Sequence, residues 1–445
     1  MQKYGPMNAD KVHYDASGVA ATVEETAFIA DITRLAPSDL FVISHGWNND
    51  ETEADTLYTN FFTAMGRVAG RVPAFPIANA FALAVIWPSK KFDEAAFASA
   101  VGPGAGAGAG AGVGTSVIDA AIADQLSALK EVANDPVASA LLDHAITQIP
   151  FLSVSQSAQD DFVAAVTAAI PHAPQEPDPG LDAGLATASA TPGHVVLGQI
   201  VANLQVGPAA AAAAKSTGGA AAIGAAAGFN PLAAIKNAAL VLANLTTYYT
   251  MKERAGIVGR TGVAQTVVKA ITALPNVKIH LIGHSFGGRL VTAVANALSG
   301  GAGHQASSMM LLEAAYSHYG MAQNYQGNTD GVFRGVLTGK KVAKEIQITH
   351  SVHDIAVGLA YPLASALAHQ IGQGVWINPF GGMGGDGAQT TPEAFGDTLG
   401  PVGTVYSQIV APNIVRNLNG DNIITSHGDV THDEIAYATL LAAAL

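Results

Sequence analysis

Two short apolar runs, each bounded by turn residues and separated by a stretch of helical period, constrain this chain more than any other feature. Asp39 to Ser44 (DLFVIS) and Phe81 to Trp87 (FALAVIW) are almost continuously apolar over the length of a strand, the pattern of strands buried on both faces. Between them, Thr52 to Val68 places apolar residues at helical spacing. Strand, helix and strand then follow in order and predict a right-handed βαβ crossover. The alternation returns with a helix around Gly262 to Leu274, a strand from Lys278 to Ile282, a helix from Gly288 to Leu298, and strands at Ser308 to Leu312 and Glu345 to Thr349. Together these predict an α/β fold on a doubly wound, mostly parallel sheet.

The two blocks are separated by a stretch of different character, which divides the chain into 1–94, 95–238 and 239–445. The middle part holds the GAGAGAGAG run at Gly104 to Gly112 and an Ala-rich run at Pro208 to Ala214; alternating Gly and Ala cannot bury a defined core and reads as a flexible linker. Ser116 to Val132 and Ala158 to Ile170 have helical period and are punctuated by prolines, so a helical cap is expected as an insertion. With 49% hydrophobic and 12% charged residues, a membrane span has to be considered. Ser216 to Ile235 is uncharged, but its glycines and Pro231 interrupt it and alanine supplies most of its apolar count. It therefore fits an apolar cap better than a spanning helix, with peripheral lipid contact through the insertion as a further expectation.

Met1 to Asp31 lacks the basic stretch and apolar core of a secretory signal, which makes a cytoplasmic location the expectation. There is no cysteine, so covalent catalysis would fall to Ser, Thr, Asp or Lys. The net charge is −13 and the 21 Lys and Arg are scattered, which disfavours nucleic-acid partners. Metal-binding patterns such as H-E-x-x-H, paired cysteines or an EF-hand loop do not occur, nor does a phosphate-cradling G-x-x-x-x-G-K followed by Ser or Thr. No metal or cofactor is expected.

Gly283-His284-Ser285-Phe286-Gly287 spells G-x-S-x-G directly after an apolar strand and directly before an amphipathic helix. The pentapeptide alone arises by chance in about a quarter of chains of this composition, so its weight comes from its placement. A strand that turns sharply into a helix leaves no room for a Cβ beside the turn, which explains both glycines. The turn would hold Ser285 Oγ exposed at the C-terminal edge of the sheet, where the helix N-terminus favours developing negative charge. Ser44-His45-Gly46-Trp47 ends an earlier strand in the same way. Its position predicts an oxyanion hole made by the main-chain N–H groups of Trp47 and Phe286. His45 and His284 are candidate substrate-binding groups; the alternative for each is a packed, hydrogen-bonded histidine.

The H-G-W loop, the Trp87-Pro88-Ser89 strand end and the G-H-S-F-G-G elbow resemble the α/β-hydrolase superfamily, in particular its esterase and lipase-like members. The resemblance covers Ser38 to Lys90, Leu245 to Asp354 and Gly420 to Leu445. It implies a triad running nucleophile, acid, histidine along the chain. With Ser285 as nucleophile, Asp354 is the acid, although an N-cap for a helix starting near Ile355 is an ordinary alternative; Glu313, at the preceding strand end, is the reserve. His427 is the base, in a polar loop after a strand-like Asp421 to Thr425, with His432 as the other candidate. His350 and His353 read as structural. The implied activity is a cofactor-free carboxylesterase or lipase acting through an acyl-enzyme on a small or polymeric ester, apolar because the insertion is apolar. The same triad serves amide, thioester or polyester cleavage, and an idle hydrolase-like scaffold is the rival.

Overall fold

The computed structural model describes residues 1–47, 49–89, 115–170, 179–202, 231–301, 303–325, 327–354, 381–406 and 414–445. Two units divide the chain. The first comprises Met1–Lys91, Met251–Gly358 and Gly381–Leu445; the second comprises Phe92–Thr250 and Leu359–Phe380.

The first unit is a nine-stranded, mostly parallel sheet in the order β1-β2-β4-β3-β5-β6-β7-β9-β8. Its strands are β1 (Gln2–Tyr4), β2 (Met7–His13), β3 (Asp39–Ser44), β4 (Ala80–Ile86), β5 (Lys278–His284), β6 (Ser308–Leu312), β7 (Glu345–His350), β8 (Ala394–Thr398) and β9 (Ile414–Asn419). Every pairing is parallel except β1 with β2. Side chains alternate between faces. Phe41 and Ile43 of β3 and Ala82 and Ala84 of β4 join one core with Tyr58, Phe61 and Phe62 of the helix Glu51–Val68 and with Ile435 and Leu440 of the helix Asp433–Ala444. On the opposite face Phe81 meets Phe28 of the helix Thr22–Leu35, their rings 6.3 Å apart. Helices thus cover both faces, which is why the central strands read as unbroken apolar runs.

The sequence-derived helices and central strands recur within a few residues of the expected limits, with Trp87 falling just outside β4. The helix Glu51–Val68 starts at a capping box in which the Asp50 side chain accepts the Glu53 N–H and the Glu53 side chain accepts the Asp50 N–H, an arrangement whose loss typically costs about 1 kcal/mol. The helix expected from Gly262 instead begins with a π-helical segment, Val258–Val263. Its Gly259 lies so close to the elbow helix Phe286–Ala297 that a Cβ would stand 2.3 Å from the Leu290 carbonyl oxygen.

Two corrections concern the sheet edges. The resemblance leads one to expect an N-terminus too short for the opening strands, yet the first thirteen residues form β1 and β2; Asn8, Asp10 and Lys11 hide the strand pattern. Asp421 to Thr425 is a turn rather than a strand, closed by Ile423 and Ile424 N–H donating to the Gly420 carbonyl. The strand lies earlier, as β9, whose Arg416 is buried because it pairs with Glu345 of β7 and, at 2.7 Å, with Asp397 of β8.

The described residues of the second unit are helical, at Thr115–Ala133, Pro136–Gln148, Gln156–Ala168 and Pro179–Ala190, with the first part of Pro231–Ile257. Ile122, Leu126, Leu142 and Phe162 are buried there. The Gly104 to Gly112 run, the Pro208 to Ala214 run, most of Ser216 to Ile235 and the segment after Ile355 lie outside the described residues. Among the described residues no helix is long and apolar enough to cross a membrane.

Candidate active site

β5 ends at His284, and Ser285 follows with φ 56° and ψ −124°, in the left-handed half of conformational space that side chains other than glycine avoid. The turn is held from both sides: Ser285 N–H donates to the Leu312 carbonyl at 3.0 Å, and the Ser285 carbonyl accepts from Ala315 N–H at 3.0 Å and Gly288 N–H at 2.9 Å. A Cβ on Gly283 would stand 2.2 Å from the Gly287 oxygen, and one on Gly287 would stand 2.3 Å from the Ser44 oxygen. These contacts are backbone against backbone, so no side-chain adjustment relieves them. Strand-to-helix crossing at this distance requires glycine at both positions, as their spacing around Ser285 suggests. One correction applies: Ser285 is recessed, at 5% exposure, rather than presented openly at the sheet edge.

The H-G-W loop abuts the elbow. A Cβ on Gly46 would lie 2.6 Å from Ser285 Cβ, and the rings of Trp47 and Phe286 are 5.8 Å apart. His45 fixes this loop. Its Nδ1 donates to the Gly46 carbonyl at 2.8 Å, its Nε2 accepts the Trp87 N–H at 3.3 Å, and its ring stacks on Trp87 at 5.6 Å. Burial lowers its pKa to about 4, so the ring stays neutral. Both nitrogens are engaged by main chain, which favours the packed, hydrogen-bonded alternative for His45.

Asp354 and His427 meet. Asp354 Oδ2 accepts from His427 Nδ1 at 3.0 Å, and Asp354 is buried. That hydrogen bond assigns the proton to Nδ1 and leaves Nε2 as the basic nitrogen. His427 is docked on His284, the residue before Ser285: His284 Nε2 donates to the His427 carbonyl at 2.8 Å, and the two rings are 4.9 Å apart. Burial, reinforced by the adjacent His427, lowers the His284 pKa to about 3. A neutral ring anchored to the His427 carbonyl favours the packed alternative for His284.

His432 is placed elsewhere. It is the N-cap residue of the helix Asp433–Ala444, and its Nε2 pairs with Asp429 Oδ1 at 2.7 Å. Asp429 is a turn residue, accepting from Thr425 N–H and Oγ. His353 is exposed and His350 half-buried at the end of β7. The N-cap alternative for Asp354 concerns a helix outside the described residues.

The glycine-rich FGGMGGDGA run at Phe380 to Ala388 reads in sequence as either a cover for the site or a surface loop, and part of it reaches Asp354. Gly384 N–H donates to the Ala314 carbonyl and the Gly384 carbonyl accepts from Ser351 N–H, both at 2.9 Å. A Cβ on Gly384 would lie 2.5 Å from Asp354 Oδ2. The clustering of glycines is the signal that a backbone must approach something closely there.

Another Ser, His and Asp are hydrogen-bonded at the opposite ends of the strands. His280 Nε2 lies 2.9 Å from Asp39 Oδ1 and its Nδ1 lies 2.8 Å from Ser308 Oγ. All three are buried within regular β3, β5 and β6, so this trio cross-links strands. The left-handed turn at Ser285 has no counterpart at Ser308, which lies within a regular strand. Among the described residues no group of His, Asp and Glu is arranged to hold a metal ion. Comparisons with family models, with curated proteins and with solved structures give no match for this chain.

Proposed function

We propose that this chain is a serine hydrolase of the α/β-hydrolase type, a carboxylesterase or lipase-like enzyme acting through an acyl-enzyme. The observation that carries the reading is the left-handed backbone of Ser285 at a glycine-lined strand-to-helix turn. Strain of this kind costs about 1–3 kcal/mol and persists where it serves a site. The Asp354–His427 hydrogen bond beside it supplies the other two members of a triad.

In the proposed reaction His427 Nε2 takes the Ser285 hydroxyl proton as Oγ attacks the ester carbonyl carbon. Asp354 holds the imidazole by Nδ1 and stabilises its protonated form. The tetrahedral oxyanion is received by the N–H groups of Trp47 and Phe286, each such donor being worth about 10²–10³ in kcat. Collapse expels the alcohol with the proton from His427. Water then attacks the acyl-enzyme by the same route, releasing the acid and restoring Ser285. No step calls on a cofactor. An apolar acyl or alcohol group is expected from the Ala, Leu and Val-rich composition of residues 95–238.

The test is hydrolysis of p-nitrophenyl esters from acetate to palmitate. The expected result is turnover of at least part of the series, with the chain-length profile separating esterase from lipase behaviour. Inertness toward the whole series, and toward matched amides and thioesters, would favour an idle scaffold.

A further inference from the structure

Glu313, the residue after β6, has no role in the mechanism above, yet it is fully buried and carries a left-handed φ of 45°. A glutamate in that conformation is strained, and an ionised carboxylate in that setting would be costlier still. Among the described residues, neither carboxyl oxygen has a hydrogen-bond donor. On the elements packed around it, the titratable groups acting on Glu313 are Asp354 after β7 and Asp421 after β9, both acidic. The Thr349 hydroxyl of β7 pulls weakly the other way and accepts the Glu313 main-chain N–H at 3.1 Å.

The neighbouring Asp354 carboxyl raises the pKa of Glu313 further, and two neighbouring carboxyl groups can hydrogen-bond to each other only with a proton between them. Asp354 already accepts from His427 Nδ1, which favours its ionised form; among the described residues no imidazole or cationic donor bonds the Glu313 carboxyl. Gly384 closes over the pair, since a Cβ there would meet both Asp354 Oδ2 at 2.5 Å and Glu313 Cα at 2.9 Å.

We propose that Glu313 is kept as a neutral carboxylic acid whose O–H donates to the Asp354 carboxylate, making it the positioning residue for the acid of the triad. The role in catalysis rests on the serine-hydrolase reading; the protonation does not. Burial, and then the adjacent Asp354, push the Glu313 carboxyl well above the usual carboxylate range. A second donor on Asp354 fixes the carboxylate against rotation and lowers the affinity of the Asp354–His427 pair for a further proton. The ordinary catalytic setting has a carboxylate oriented by main-chain or hydroxyl donors, and here a protonated side chain takes that place.

The experiment has two arms on the full-length chain. The first is the infrared difference spectrum of wild type minus Glu313→Gln at pH 8. It should contain the carbonyl stretch of a protonated carboxylic acid; no such band would overturn the proposal whether or not the protein hydrolyses esters. The second is the acidic limb of kcat/KM for the best p-nitrophenyl ester. Glu313→Gln, still neutral and still carrying an N–H donor, should stay within about 3-fold of wild type with the limb unmoved. Glu313→Leu should lower kcat with KM retained and move the limb up by about one pH unit. A downward shift of about a unit in Glu313→Gln would mean that Glu313 is ionised, and a loss as large as that of Asp354→Asn would make Glu313 the acid itself; either overturns the proposal. If wild type turns over no ester, the serine-hydrolase reading fails and the infrared arm still decides the protonation. If Glu313→Leu does not fold, Glu313→Gln decides the kinetic arm alone.

Discussion

His427→Ala is expected to lower kcat/KM by about four orders of magnitude or more, while His432→Ala stays within a few-fold of wild type. The two histidines lie close together in sequence, and His427 is preferred for its place in the polar loop before the last helix. Their hydrogen bonds separate them: His427 is joined to the buried Asp354 and docked on His284, next in sequence to Ser285. His432 instead caps a helix and pairs with Asp429 of its own turn. Removing His427 takes away the base of the proposed reaction, and the residual rate is that of substrate binding and the oxyanion donors. The check is steady-state kinetics on whichever ester wild type hydrolyses best. Equal losses in the two variants, or a larger loss in His432→Ala, would contradict this assignment.

Alanine at either elbow glycine is expected to destabilise the fold by about 3 kcal/mol or more, at the upper end of what overpacking costs. Gly283→Ala brings a Cβ to 2.2 Å from the Gly287 oxygen, and Gly287→Ala brings one to 2.3 Å from the Ser44 oxygen. Both obstacles are main chain of the central sheet or of the helix leaving it, so relief requires β3, β5 and the elbow helix to separate. Gly428→Ala is the control: it sits next to His427, nothing lies within 4 Å of its would-be Cβ, and its stability should match wild type. Denaturant titration of the three variants makes the comparison. An elbow variant as stable as the control would show that the close approach does not exist.

The parts of the molecule most legible in the sequence are those where one physical pattern acts alone. Asp39–Ser44 and Ser308–Leu312 are buried on both faces, so composition and length identify them with their limits. Ser285 is marked by glycines that no other residue could replace. At the edges of the sheet two demands compete, and the pattern fails. Met7–His13 mixes the part-buried Asn8, Lys11 and His13 with buried residues on both faces, one of them the polar Asp10. Ile414–Asn419 carries Arg416, whose burial depends on Glu345 and Asp397, residues contributed by two other strands. No local reading can supply such partners.

The same distinction runs through the site. The order serine, acid, histidine is visible along the chain, but the choice of His427 over His432 depends on which one Asp354 faces. His45 and His284 stand beside loops that would serve a substrate, and only their hydrogen bonds show that they hold those loops in place. The recessed position of Ser285 and the approach of Gly384 to Asp354 are properties of tertiary packing, for which a cluster of glycines is at most a hint.

The measurement that tests the central claim most directly is reaction of the folded chain with a fluorophosphonate probe, followed by peptide mass mapping. The account predicts one adduct on Ser285, absent in Ser285→Ala and slowed in His427→Ala. Labelling at another serine, or no labelling of a protein whose fold is intact, would contradict it.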